Sequence, residues 1–428
     1  MPFWPAHPTS HHSRSPITLK TGTKTLPFSA FAAPLLTPFR ANPLLFNGHL
    51  QTFWTAVKWN DPHTIHYARQ RLQNPADGGH FTVDFVVPEP FPPAPSSTEA
   101  VTGGRLPPRT RDMTEEEGAR LGSDDDTPMV IALHGLSGGS HELYLRSVIA
   151  PLTRKVEEGG SGFAACVLNA RGCALSEVTT GQLFNARFTA DLRQMVRYLQ
   201  EVYPRRPLYA VGFSYGANIL TNYIGEEGDK CAFKAVALCS SPWNLEVASK
   251  ALHRTYLGSE VYSKVMGGNM RNLFEIHIDN FSEDPRIDVD LVRRGKYLYE
   301  FDRDFTAQIF GYATVGAYYR DASSVDNLLK TRVPTFILHA KDDPVAVDEG
   351  VPYDEVRANP YCFMATTPTG GHLSWFEYGG GRWFARTACL ILLLSLSMTL
   401  TSFQVVDFFT AFAREVVEVN PVDETLKQ

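Results

Sequence analysis

The chain has 428 residues, 43% of them hydrophobic and 20% charged, too apolar for a disordered polymer and too mixed for a bundle of membrane spans. Its 40 Lys and Arg against 46 Asp and Glu leave a net charge of −6, so no general field draws it to nucleic acid and no such partner is expected. The six cysteines (Cys166, Cys173, Cys231, Cys239, Cys362, Cys389) are scattered without a C-x-x-C pair, which implies reduced thiols and an intracellular compartment.

The length allows two or three domains or one elaborated α/β domain. Residues 1–20 carry Pro2, Pro5, Pro8, three histidines and Arg14, with no apolar segment of a secretory signal. Residues 1–30 are therefore expected to form a disordered arm, ahead of a single domain over 31–428. Residues 42–52 are denser and expected to be ordered. Residues 80–87 alternate as a strand does. The stretch 88–127 then holds seven prolines and the acidic runs 115–117 and 124–126, the composition of a disordered, solvated insertion between two strands. From Met129 short apolar runs recur at 129–133, 163–168, 207–211, 233–239 and 334–338. Amphipathic stretches at 141–157, 187–202, 215–225 and 323–330 follow most of them, a pattern of parallel βαβ units. Between 242 and 322 the alternation stops, and a Tyr- and Phe-rich helical cap is expected there.

Gly212-Phe213-Ser214-Tyr215-Gly216 is a G-x-S-x-G pentapeptide. It follows a strand-like run and precedes a helix-like one, the setting of a nucleophile elbow. A serine hydroxyl needs a base to take its proton. His372, beside Gly370 and Gly371 on a loop after the strand-like 361–366, is the histidine least explained by core packing. The acid should follow the strand 334–338, where Asp342 and Asp343 stand together before Pro344-Val345. Asp343 is favoured, with Asp342 kept open as the acid or as a turn residue. The order Ser214, Asp343, His372 is that of α/β-hydrolases. The loop His134-Gly135-Leu136-Ser137-Gly138-Gly139 follows a strand, and the backbone N–H groups of Leu136 and Tyr215 are the candidate oxyanion donors. His134 is read as shaping that loop, and His49 and Gln51 as packing under the active-site loops. Arg171 is expected to pair with a carboxylate such as Asp191. There is no H-E-x-x-H and no clustered Cys/His set, and the chemistry requires no metal or cofactor.

These stretches give the chain a resemblance to the α/β-hydrolase subfamily, sometimes called type 4, that contains the yeast medium-chain fatty acid ethyl ester synthase/esterases with bacterial and plant embryo-abundant relatives. It is carried by Asn47-Gly48-His49-Leu50-Gln51-Thr52, His134 to Ser140, Asn169-Ala170-Arg171-Gly172-Cys173, Gly212 to Asn218, Ser241-Pro242-Trp243, Ala340 to Pro344 and Gly370 to Phe376, over roughly residues 42–385. It implies an α/β-hydrolase fold with a mostly parallel sheet, flanking helices and a cap. It also implies esterase or acyltransferase action on medium-chain acyl esters, monoacylglycerol included, and association with the endoplasmic reticulum or lipid droplets. Two stretches depart from the pattern. One is the insertion at 88–127. The other is an apolar run at 387–404, which is open to three readings: a membrane anchor, though its apolar part is shorter than the roughly 20 residues a span needs; a buried helix; or a translated intron, whose loss would join Arg386 to Val405.

The expected reaction is a two-step acyl transfer from an ester to water or a small alcohol. Phe301, Phe305, Phe310, Tyr312, Tyr318 and Tyr319 are the candidate substrate-binding residues of the cap, or equally the cap's own core. Two rival readings stand beside this one. A non-catalytic lipid-binding scaffold on the same fold would have no use for an intact triad. A peptidase remains open on this fold, whereas an epoxide hydrolase would want a carboxylate where Ser214 stands.

Overall fold

The structure is a computed structural model, and it describes residues 5–57, 63–88, 106–378, 381–385 and 404–422. The strands are β1 (Thr9–His12), β2 (Thr18–Thr21), β3 (Lys24–Pro27), β4 (His66–Gln73), β5 (His80–Val87), β6 (Thr110–Asp112), β7 (Met129–Leu133), β8 (Ala164–Asn169), β9 (Leu208–Phe213), β10 (Phe233–Cys239), β11 (Thr335–Ala340), β12 (Cys362–Thr367) and β13 (Val416–Asn420). Among the described residues one sheet has ten strands in the order β1-β12-β11-β10-β9-β7-β8-β5-β4-β6. From β8 through β7, β9, β10 and β11 to β12 every neighbour is parallel. Every residue of β7, β9, β11 and β12 is buried, because helices cover both faces and the strands can be apolar throughout. The parallel edge-to-edge order brings the C-terminal ends of β7, β9, β11 and β12 to one rim, where ligands of open α/β sheets bind.

The connection from β10 to β11 contains no strand. It runs through the helices Leu245–Arg254, Lys264–Ile276, Val289–Arg294 and Val315–Ala322, with π-helical turns at Gly258–Ser263 and Asp302–Thr306. Phe274, Phe281, Phe301 and Phe305 form the centre of its own apolar cluster.

Parts of two stretches expected to be disordered, residues 5–30 and 106–127, are ordered. In the N-terminal thirty residues, β1 pairs antiparallel with β12, and β2 lies between β3 and β13 in a second sheet. The reason is burial that composition hides: Ile17, Leu19 and Phe28 are fully buried in the same core cluster as Phe363, Phe408 and Phe412. Within 88–127, β6 adds to β4, and Thr114 caps the Glu115–Ala119 helix in a reciprocal capping box with Glu117. Glu117 also pairs with the buried Arg111, and Asp125 with Arg206 at 2.7 Å. Part of each acidic run is thus used by the fold, although Glu117 and Asp125 stay 41% and 40% exposed. Residues 89–105 of that stretch lie outside the described residues, as does the apolar run 387–403. Gln404 already begins the last helix, Gln404–Glu415, whose Phe408 stacks on Phe336 at 5.1 Å. Among the described residues no helix is long and apolar enough to cross a membrane, and Cys166, Cys173, Cys231, Cys239 and Cys362 are free thiols.

Candidate active site

Ser214 occupies the turn from β9 into the Tyr215–Glu227 helix, with φ 53° and ψ −118°. A non-glycine residue is held in so uncommon a conformation only by its surroundings. Its amide donates to Cys239 O at 2.8 Å. A Cβ on Gly216 would fall 2.5 Å from His134 O and 2.6 Å from Leu133 O. Only glycine lets the helix start so close to β7.

Three residues far apart in sequence meet at this turn. His372 Nε2 is 2.7 Å from Ser214 Oγ, and His372 Nδ1 is 2.8 Å from Asp343 Oδ2 and 3.1 Å from Oδ1. An ionised carboxylate only accepts, so Nδ1 carries the ring proton and Nε2 accepts from the Ser214 hydroxyl. Burial alone would raise the Asp343 carboxyl. His372 and His339 beside it, with the amide of Ala346, hold it below its ordinary range. Asp343 Oδ1 also accepts from the amides of Val345 and Ala346, both at 2.8 Å. Asp342 is not bonded to the imidazole; its Oδ1 accepts from the Gly371 amide at 3.0 Å and so clamps the histidine loop from below.

The same loop is held by the Gly48–Ala56 helix. Its Thr52 hydroxyl donates to Gly48 O at 2.6 Å and accepts from the His372 amide at 2.9 Å. Gln51, fully buried, donates to Leu45 O and accepts from the Phe376 amide at 2.7 Å. Gly371 has φ 60°, and a Cβ there would meet Gly48 O at 2.6 Å. His49 leaves this loop and stacks on Tyr262 of the cap, with its Nδ1 2.9 Å from the Tyr262 hydroxyl. Thr52 is the positioning residue that reading the motif missed. Its signal was its place in a polar helical segment, but nothing in the sequence names its partner.

The loop after β7 is equally braced. His134 donates from Nδ1 to Gly135 O at 2.7 Å and accepts the Ala170 amide at Nε2, and burial pushes its pKa down. It is fully used as a neutral structural ring. Ser140 donates to Asp84, which forms a buried ion pair with Arg69 at 2.7 Å. Arg171 pairs with Asp191 at 2.7 Å and also with Asp77 at 2.6 Å. Leu136 and Tyr215 line the same cavity as Ser214. Among the described residues, neither backbone N–H takes part in the hydrogen bonds that hold the fold.

That cavity runs from Ser214 under the helical cap. Of the six aromatic candidates it is lined by Tyr318 and Tyr319. The other four are corrected. Phe301 and Phe305 pack on each other with ring centres 5.1 Å apart, inside the cap's own cluster. Phe310 packs on Phe188, and Tyr312 donates to Asp321 beside Tyr318. Phe301 and Phe305 are turned inward by their helices because the cap needs an apolar core, whereas Phe310 and Tyr312 stand in the turn that follows and are only partly buried. The lining missed by sequence includes Leu252, Met266, Met270 and Leu298. The i, i+4 spacing of the two methionines places them on one helix face. Among the described residues no group of three or more His, Cys, Asp or Glu is placed to hold a metal ion.

Comparison with known proteins agrees with this architecture. The family model described as alpha/beta hydrolase fold matches residues 128–377. A Saccharomyces cerevisiae protein named monoacylglycerol lipase is 35% identical, covering 82% of this chain and 79% of that protein. Medium-chain fatty acid ethyl ester synthase/esterase 2 of the same yeast is 32% identical over 81% of this chain and 83% of its own length. Embryogenesis-associated protein EMB8 of Picea glauca is 30% identical over 79% and 67%. With a matched family model over more than half its length, and relatives of this similarity along most of it, the chain belongs to the α/β-hydrolase family.

Proposed function

We propose that the protein is a serine ester hydrolase of lipid substrates, with Ser214 as nucleophile, His372 as base and Asp343 as the acid that orients it. The observation that carries this is the imidazole bonded on one side to Ser214 Oγ and on the other to Asp343. Ser214 Oγ attacks the ester carbonyl as its proton passes to His372 Nε2. The carbonyl oxygen becomes an anion, and the N–H groups of Leu136 and Tyr215 receive it. The C–O bond to the alcohol then breaks, His372 returns the proton to the leaving alcohol, and an acyl-enzyme remains. Water, deprotonated by His372, releases the acid; a small alcohol in its place gives a new ester. The yeast relatives' names support medium-chain acyl esters and monoacylglycerol as substrates, and transfer to ethanol as a second outcome.

The surface fits work at a lipid boundary. The Gly48–Ala56 helix and the cap meet at His49 and Tyr262. Leu44, Phe46 and Phe53 on one side of that junction, and Tyr256, Leu257 and Val265 on the other, are exposed. Where such side chains form one contiguous patch they mark contact with membrane or partner. The reading places the enzyme inside the cell at lipid-droplet or endoplasmic-reticulum surfaces.

A series of p-nitrophenyl esters from acetyl to palmitoyl, assayed with and without ethanol, tests the activity, and fluorophosphonate labelling tests the nucleophile. The expected result is turnover peaking at medium chains and labelling lost in Ser214→Ala. No turnover across the series, with no labelling, would favour the non-catalytic lipid-binding scaffold.

A further inference from the structure

The cavity beside Ser214 contains a carboxylate that an apolar acyl pocket does not need. Asp302 lines it and is only 9% exposed. It stands with Thr306 on the π-helical turn Asp302–Thr306, a distortion that in helices often marks a functional position. Asp302 Oδ2 accepts from the Tyr319 hydroxyl at 2.8 Å, and Oδ1 accepts from the Thr306 hydroxyl at 2.9 Å. Both donors are neutral. The next residue, Arg303, is engaged by Asp304 at 2.6 Å. Burial pushes the Asp302 carboxyl up to about 6.

A carboxylate removed from water without a cation is a costly element, and an apolar side chain of similar size would build a more stable cap. Two hydroxyl donors leave a lone pair on each oxygen still able to accept. The neighbouring wall carries further hydroxyls. Tyr215 follows Ser214 in the chain, and its hydroxyl is 3.3 Å from that of Tyr318, beside Tyr319. Three hydroxyl-bearing residues, Tyr215, Tyr318 and Tyr319, thus stand with Asp302 and Ser214 in the lining, while Leu252, Met266, Met270 and Leu298 make other parts of it apolar. An ester with a hydroxyl at the right place satisfies both; a wholly apolar ester leaves the carboxylate short of a partner.

We propose that Asp302 is a specificity residue that accepts a hydrogen bond from a hydroxyl carried by the ester bound at Ser214. The cavity would thereby select hydroxylated esters over wholly apolar ones. The proposal rests on the ester-hydrolase reading of Ser214. The hydroxyl can belong to the alcohol portion, as in an acylglycerol, or to the acyl chain. Hydrogen bonds to charged groups correspond to a preference of about ten- to a hundredfold in kcat/KM.

The test uses the full chain with 1-octanoylglycerol, ethyl octanoate and a series of ethyl hydroxyoctanoates that differ in where the hydroxyl stands along the chain. Fluorophosphonate labelling of Ser214 is followed in parallel. A wild-type preference of tenfold or more for 1-octanoylglycerol over ethyl octanoate assigns the hydroxyl to the alcohol. The same preference for a hydroxyoctanoate assigns it to the acyl chain. In Asp302→Leu the ratio should fall close to one, and in Asp302→Asn, which keeps the shape and loses the charge, it should fall partway. A wild-type ratio near one in both arms overturns the proposal without any variant. So does an unchanged ratio in an Asp302 variant whose Ser214 still labels. If the wild type neither labels nor turns over any ester, the hydrolase reading itself has failed.

Discussion

Which of two adjacent aspartates matters is decided by where each carboxylate points. Asp343 bonds the imidazole, whereas Asp342 bonds the Gly371 amide. Asp343→Asn should therefore lower kcat about 10⁴-fold by stabilising the wrong tautomer. Asp342→Asn, which keeps an oxygen for Gly371, should cost about tenfold or less, and steady-state kinetics on one p-nitrophenyl ester compares them directly. Asp302 makes a prediction about stability. Burial raises its folded carboxyl to about 6 from the ordinary 3.8, so between those values the folded state holds a proton that the unfolded chain has released. Stability from this group is greatest in acid and falls as pH rises from about 4 to about 6. Asp302→Asn does not titrate. Denaturant unfolding should show it gaining on the wild type across that window, by up to about 3 kcal/mol above pH 6, and matching it near pH 4. Equal pH dependence in the two proteins would contradict this.

At the scale of elements, the histidine loop is only as well placed as the Gly48–Ala56 helix beneath it. The Thr52 hydroxyl accepts from the His372 amide and donates to Gly48 O. Thr52→Val keeps the shape but leaves a backbone N–H without an acceptor, at about 1 to 3 kcal/mol. The expected outcome is a kcat lower by roughly tenfold with KM little changed, and recovery in Thr52→Ser. A KM effect with kcat intact would assign the helix to substrate binding instead. Much of this element level was visible in advance. The run at 129–133 is β7, because a strand buried on both faces shows as an unbroken apolar stretch, and the run at 233–239 is β10, apolar apart from the exposed Lys234. The cap aromatics were not separable, since a helix can turn a phenylalanine toward its neighbours or toward the cavity without any change in spacing.

Across the whole molecule, the two ends of the chain close the core. β2 is hydrogen-bonded between β3 and β13, and Ile17 and Leu19 are buried in the same core cluster as Phe408 and Phe412 of the last helix. Ile17→Ala and Leu19→Ala should each destabilise by about 2 to 5 kcal/mol, read from chemical denaturation. A change near zero would mean that the N-terminal segment is not part of the cooperative unit. The exposed apolar residues around His49 and Tyr262 make a second prediction at this scale. Replacing Phe53 and Tyr256 together by Ser should weaken flotation with a triolein emulsion several-fold, while hydrolysis of soluble p-nitrophenyl acetate persists. Flotation equal to the wild type would remove that face from lipid contact.

The sequence by itself determined the alternation of strand and helix and the serine in its turn. It also pointed to the histidine between glycines, because local geometry demands particular residue types at particular spacings. It could not reveal that β1 would add to β12, since the paired residues His11 and Met364 lie far apart along the chain and edge pairing leaves little local pattern. Nor could it do more than favour Asp343 over Asp342, or single out Asp302, because each depends on which groups from other elements surround a carboxylate. That environment exists only after the parallel strands have brought their ends to one rim and the cap has closed over it.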